Sequence, residues 1–297
     1  SILMGIPIPL MYLFEDKNGK KQVVDGRQRI SAILDFLEGK FKLNNLRILK
    51  QFNGCCFADL DLKQQGVIED FQLLFYIIQP PTPERVKYDI FDRVNRGGTP
   101  LNKQEMRNAL YRGRCTRMLD KLCCSPEFLI ATGRSINKER MKDQYVVLRA
   151  IAFLMLHRGE FKDIPALQYR GDIDDFLARF MVYVNDNAPE KLIVDYENLF
   201  IRCMQISYDL LGENGFRFSG NGIRRPINMP LFEALSYLFS FVPEKIDYTW
   251  ASRLILDIES VKEEFDDSRY FSGNIDSTTS VSFRFDRMDK IINRIQL

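Results

Sequence analysis

The chain has 297 residues, 45% of them hydrophobic, which suffices for one large or two modest cores without disulfide support. Its 42 basic and 40 acidic side chains leave a net charge of +2, which excludes a protein that coats nucleic acid by bulk electrostatics, so local basic clusters must carry any anion binding. Six cysteines, two adjacent pairs among them (Cys55-Cys56 and Cys123-Cys124) and no C-x-x-C, lack the spacing of a zinc site or a secreted disulfide framework and point to a reducing cytoplasm.

In chain order, Ile2-Leu3-Met4-Gly5-Ile6-Pro7-Ile8-Pro9 reads like the end of an element already under way, so an earlier N-terminal segment is expected. Strands are predicted at 10–14 and 22–24 around Asp16-Lys17-Asn18-Gly19-Lys20, whose Asn-Gly is a hairpin signal. After Asp25, residues 30–37 repeat their apolar positions at three and four, and Gly39 closes them as a helix C-cap would. Further strands are expected at 46–49 and 71–78, the latter ended by Gln79-Pro80-Pro81. A helix then starts with Thr82 as N-cap and Pro83 at its first position, carries Val86, Ile90, Phe91 and Val94 on one face, and stops at Gly97-Gly98.

Beyond Asn102 the periodicity is helical throughout, at 102–111, 116–122, 142–157, 173–185, 192–211, 228–241 and 249–264. The apolar runs 146–156 and 229–242 are broken by Arg149 and Glu233 and fall short of the roughly 18 apolar residues of a membrane span. No secretory signal or lipidation motif is present, so no membrane association is expected. His157, the single histidine, ends a helical run; a His-Asn-His nuclease, with its histidine base and further metal ligands, cannot easily be assembled here. The loop-rich stretches are 212–225 and 268–282. The expected fold is α+β, with a mixed lobe over 1–110 followed by a mostly helical lobe over 111–297.

Chemistry concentrates at Asp25-Gly26-Arg27-Gln28-Arg29, where a strand turns sharply into a helix. Unpaired amides and the helix dipole favour an anion at such a turn. Arg27 and Arg29 add planar, permanently charged donors for phosphate oxygens, and Gly26 lets the backbone approach closely. Asp25 could hold a magnesium ion, and Gln28 could orient a nucleophilic water or read a base edge. The competing interpretation is structural: Asp25 caps the helix and the arginines form surface ion pairs.

Followed by Ile30 and a helix, this run resembles the D-G-Q-Q-R-L signature of the GmrSD-type restriction endonuclease N-terminal domain family, with Arg27 in place of a glutamine. Ile6-Pro7-Ile8-Pro9 is similar to that family's I-P-I-P segment. The run from Phe91 through Arg93, Asn95, Gly97 and Gly98 to Leu101 is similar to its second signature, which Glu105-Met106-Arg107-Asn108-Ala109 continues. The resemblance implies a fold related to the ParB and sulfiredoxin group and a turn that binds nucleoside triphosphate, with hydrolysis coupled to DNA defence. Family members often carry a separate His-Asn-His nuclease domain, so a partner nuclease subunit is expected and DNA cleavage by this chain alone is not.

Under that resemblance Arg93 and Asn95 would reach phosphates or ribose beside the first turn; otherwise they terminate a helix. Glu105 could contribute to a metal site with Asp25, although Asn102 three residues earlier matches a capping box. Arg224 and Arg225, and more weakly Arg284 and Arg287, could contact phosphate or DNA, though loop arginines are more often solvated. The cysteine pairs are most simply small core residues. Three functions therefore compete: magnesium-dependent triphosphate hydrolysis with Asp25 and Gln28 catalytic, a non-hydrolysing nucleotide switch, and a helical DNA- or partner-binding module.

Overall fold

Three short strands run side by side: β1 (Met11–Glu15), β2 (Lys21–Asp25) and β3 (Phe75–Ile78). Their order is β2-β1-β3, with β1 and β2 antiparallel and β1 and β3 parallel. The parallel pairing requires a crossover. Its helices are α1 (Arg27–Leu37) and α2 (Leu62–Glu69). Phe36 of α1, Ile68 of α2 and Leu60 form a small core with Ile2, Leu3 and Phe57 packed against it.

The computed structural model describes residues 1–15, 19–79, 101–219, 224–243, 245 and 247–295. The chain divides into two compact units, Ser1–Leu101 and Asn102–Leu297. The described residues of the second unit are helical apart from their connections: α3 (Lys103–Leu110), α4 (Arg114–Cys123), α5 (Pro126–Ala131), α6 (Lys142–His157), α7 (Ile173–Asp186), α8 (Glu190–Leu211), α9 (Met229–Phe239), α10 (Tyr248–Asp266) and α11 (Thr278–Ile295). The fold class is therefore α+β, as the patterning implies. The division between units falls ahead of α3, whose Arg107 is fully buried and pairs with Asp174 on α7 at 2.8 Å.

α6 and α9 pack on each other at the centre of the helical unit. Every residue from Val146 to Met155 and from Pro230 to Phe239 is buried, the mark of a helix enclosed on all sides. The two charges that interrupt these apolar runs meet each other: Arg149 Nε donates to Glu233 Oε1. Glu233 Oε2 accepts from Arg284 Nη2 at 2.6 Å, and Arg149 Nη2 reaches Asp276 at 2.7 Å. Two buried cations thus face two carboxylates, a balance that a low-dielectric interior demands.

Several expectations need correction. Residues 46–49 form no strand, because the Leu46 amide and carbonyl are both taken by the Asn53 side chain, at 2.8 and 3.2 Å, which closes a local loop instead. The strand expected over 71–78 is confined to Phe75–Ile78. Loop-rich 268–282 runs into α11 from Thr278, whose buried Val281, Phe285, Met288 and Ile292 keep helical spacing behind a Ser/Thr-rich first turn. The hairpin residues Asp16, Lys17 and Asn18 and the helix expected from Thr82 lie outside the described residues.

Candidate functional site

The Asp25 turn is shaped by a β-bulge. Tyr12 pairs with Asp25 and Leu13 with Val23, so Val24 has no partner on β1 and the end of β2 is re-aimed just before the helix. Gly26 then adopts φ 95°, in the left-handed region. A Cβ there would also collide with the side chain of Met11, which is wholly buried in β1. Glycine is required twice over, by backbone conformation and by the closeness of the neighbouring strand.

The first turn of α1 has no side-chain cap, because its N-cap is Gly26, and no acidic residue. Asp25 therefore does not cap the helix; its Oδ2 accepts from Arg29 Nη2 at 2.5 Å. Arg29 Nη1 donates to the Pro9 carbonyl at 2.7 Å, which ties Ile6-Pro7-Ile8-Pro9 to the turn. Arg27 and Gln28 are exposed and make no hydrogen bond or ion pair among the described residues. The five residues thus split into a brace (Asp25 and Arg29), a hinge (Gly26) and two unengaged polar groups at the mouth of the helix (Arg27 and Gln28).

On the same face of α1, one turn apart, Arg29, Ala32, Ile33 and Phe36 border a hollow of about 570 Å³ whose other walls include Pro7 and Pro9. This volume lies within the range of small-molecule sites. The turn borders this largely apolar wall through Arg29. The helical period reveals the positions of Ala32, Ile33 and Phe36 but not that a hollow is left beside them. The role of Pro9 is likewise invisible in sequence, because it acts through its carbonyl.

Asp25 Oδ1 makes no hydrogen bond among the described residues and could take one metal position, with phosphate oxygens and water supplying the others, as magnesium commonly requires. Among the described residues no group of three or more His, Cys, Asp or Glu could hold a metal ion. Glu105 lies in the second unit, where its Oε2 accepts from the Asn102 amide at 2.6 Å and from Arg140 Nη2 at 2.9 Å. Burial opposes ionisation of Glu105, but these two partners hold its carboxyl below the usual range. It completes the capping box that its spacing from Asn102 implies.

Arg93 and Asn95 lie outside the described residues. Arg224 pairs with Glu213 at 2.7 Å, and Arg225 pairs with Asp266 while stacking over Phe218. Arg284 is buried and Arg287 pairs with Glu264. His157 ends α6, stacked on Phe285 at 3.6 Å between ring centres, and burial, helped by Arg284, pushes its pKa down to about 3. It is neutral at physiological pH and remote in character from a catalytic base. All six cysteines are free thiols, and no helix among the described residues is long and apolar enough to cross a membrane.

Comparison with known proteins agrees with the motifs. No curated protein and no solved structure matches the chain. Residues 1–112, which include the Asp25 turn, the braced Pro9 segment and α3, match the family described as GmrSD restriction endonuclease, N-terminal domain. Over those residues the chain is similar to the GmrSD restriction endonuclease N-terminal domain.

Proposed function

We propose that the N-terminal unit binds a nucleoside triphosphate at the Asp25–Arg29 turn and hydrolyses it with magnesium, within a restriction-related DNA-defence system. The observation that carries this reading is the junction at α1: unengaged Arg27 and Gln28 at a helix mouth with no side-chain cap, on a turn whose Arg29 borders an apolar hollow. A nucleotide has the matching division, with phosphates for the helix mouth and a base for the apolar wall. Arg27 would steady phosphate charge, Gln28 would orient the attacking water, and Asp25 would contribute one oxygen to magnesium already chelated by the phosphates. Arg93 and Asn95 are assigned to the same ligand by family likeness alone. A separate nuclease subunit would cut the DNA, in the cytoplasm.

One observation favours binding without hydrolysis. The only carboxylate of the turn is engaged by Arg29, so a nucleotide would meet a braced turn rather than a free base. Occupancy would then act as a switch for a partner.

The test is phosphate release from ATP, GTP, CTP and UTP with magnesium, alongside calorimetric binding, for the native chain and its Asp25→Ala and Arg27→Ala variants. Release that disappears with Asp25→Ala is expected and would name the substrate. Arg27→Ala should weaken affinity by about 1.5–3 kcal/mol, roughly ten- to a hundredfold, as loss of a charged hydrogen-bond donor does. Binding without release selects the switch, and absence of both refutes the nucleotide reading.

A further inference from the structure

A second hollow, of about 540 Å³, opens within the helical unit between the start of α3 and the turn before α6. Polar side chains that the fold has already fixed in place line it. Arg107, fully buried, donates through Nε to Gln104 Oε1 at 3.0 Å and through Nη1 to Asp174 at 2.8 Å, with its guanidinium 5.1 Å from the centre of the Tyr145 ring. Its Nη2 makes no hydrogen bond among the described residues. Gln104, only 3% exposed, is held in turn by Asn108 at 2.8 Å.

The exposed charges at the rim are Lys103, Arg140 and Lys142, three cations beside the single carboxylate of Glu139. Asp174 serves both Lys103 and Arg107, so two cations there answer to a single carboxylate. Lys142 has no ion pair among the described residues. Arg140 and the adjacent Met141 both adopt left-handed backbone conformations, with φ 57° and 56°, which non-glycine residues rarely do. The Asn102 side chain, donating to the Arg140 carbonyl at 2.6 Å, and Glu105, pairing with its guanidinium, hold that turn in place. Such paired strain persists where surroundings over-determine it. The α3 amides are not the attraction, because Asn102 Oδ1 already accepts from Gln104 and Glu105.

We infer that this hollow binds a small phosphate ester of nucleotide size, its phosphate met by Lys103, Lys142 and the unengaged Nη2 of Arg107. A buried, pre-oriented guanidinium behind the ammonium groups of Lys103 and Lys142 is suited to a compact multivalent anion. The volume accommodates a nucleoside diphosphate. The site stands on residues of the helical unit alone and does not depend on the Asp25 turn.

Residue-resolved acylation of lysine amines in the full chain, read by mass spectrometry, tests the assignment. ADP and, separately, inorganic pyrophosphate should each suppress labelling of Lys142 and leave Lys138, which borders a neighbouring hollow, unchanged. The suppression should persist in an Arg27→Glu variant, which disables the first-unit turn, and weaken in Arg140→Gln. Unchanged Lys142 labelling would overturn the proposal, as would suppression that is lost in Arg27→Glu. Suppression by a short DNA duplex but not by ADP would replace the small ligand with nucleic acid and overturn it too.

Discussion

Two of the chain's arginine–carboxylate constellations look alike in composition and differ in what they leave unspent. In the helical unit, Glu233 is wholly buried, and both of its oxygens are taken, by Arg149 and Arg284. At the Asp25 turn the ion pair is about a quarter to a third exposed, and Arg27 and Gln28 beside it engage nothing among the described residues. The first constellation has little capacity left for a ligand and every reason to be retained by packing. The second keeps donors facing solvent at an uncapped helix mouth, where a ligand anion gains most. Unspent hydrogen-bonding capacity, rather than the presence of charge, separates a binding site from architecture.

The sharpest way to break this comparison is to remove the shared carboxylate. Glu233→Ala leaves Arg149 and Arg284 buried beside a lost partner and should cost about 3–5 kcal/mol, read as a lower denaturation midpoint in urea. Replacement of the whole cluster by apolar residues of similar volume should cost much less, because no uncompensated charge remains.

His157 gives the next effect. Its folded pKa of about 3 lies below the ordinary 6.5, so the unfolded chain binds the proton first and the neutral ring stabilises the fold above pH 6.5. That contribution should fall by about 1.4 kcal/mol per pH unit as pH drops from 6.5 towards 3. A His157→Gln variant should show a correspondingly flatter acid limb in denaturation measured across this window, and parallel limbs would reject the assignment.

Gly26→Ala should cost roughly 1–3 kcal/mol through its left-handed backbone, with the Met11 contact adding to it. Pairing it with Met11→Ala should recover the contact part only, which a thermal midpoint can resolve. The smallest stability effect belongs to Arg27→Ala, within about 0.5 kcal/mol because the side chain is exposed and has no partner among the described residues, whereas the proposed nucleotide site would lose much of its affinity. An Arg27 variant that unfolds the protein would erase the distinction between the two constellations.

Much of the architecture was legible in residue patterns. The period of three and four located α6 from Lys142 to His157 and found residues 30–37 of α1, which begins three residues earlier at Arg27. Asn102 and Glu105 announced their capping box by spacing alone. Two helices carried equally local signals that the apolar period overshadowed: Asp61 with Gln64 forms a capping box at α2, and Ser125-Pro126 starts α5. Residues 46–49 misled because Leu46, Ile48 and Leu49 around Arg47 look extended, whereas the Asn53 side chain satisfies the backbone there.

The site was legible as a motif but not as a division of labour. Composition and spacing already determined that Asp25 to Arg29 sit between a strand and a helix, because strand alternation, a glycine and a helical period are local properties of the chain. Which arginine braces and which stays open depended on Pro9, whose carbonyl reaches Arg29 only when β1 lies beside β2. That Arg149 and Glu233, read as mere interruptions of apolar runs, would neutralise one another was equally beyond any local signal. Such pairings span long stretches of sequence, and only tertiary packing decides which charges come within hydrogen-bond reach and which remain available to a ligand.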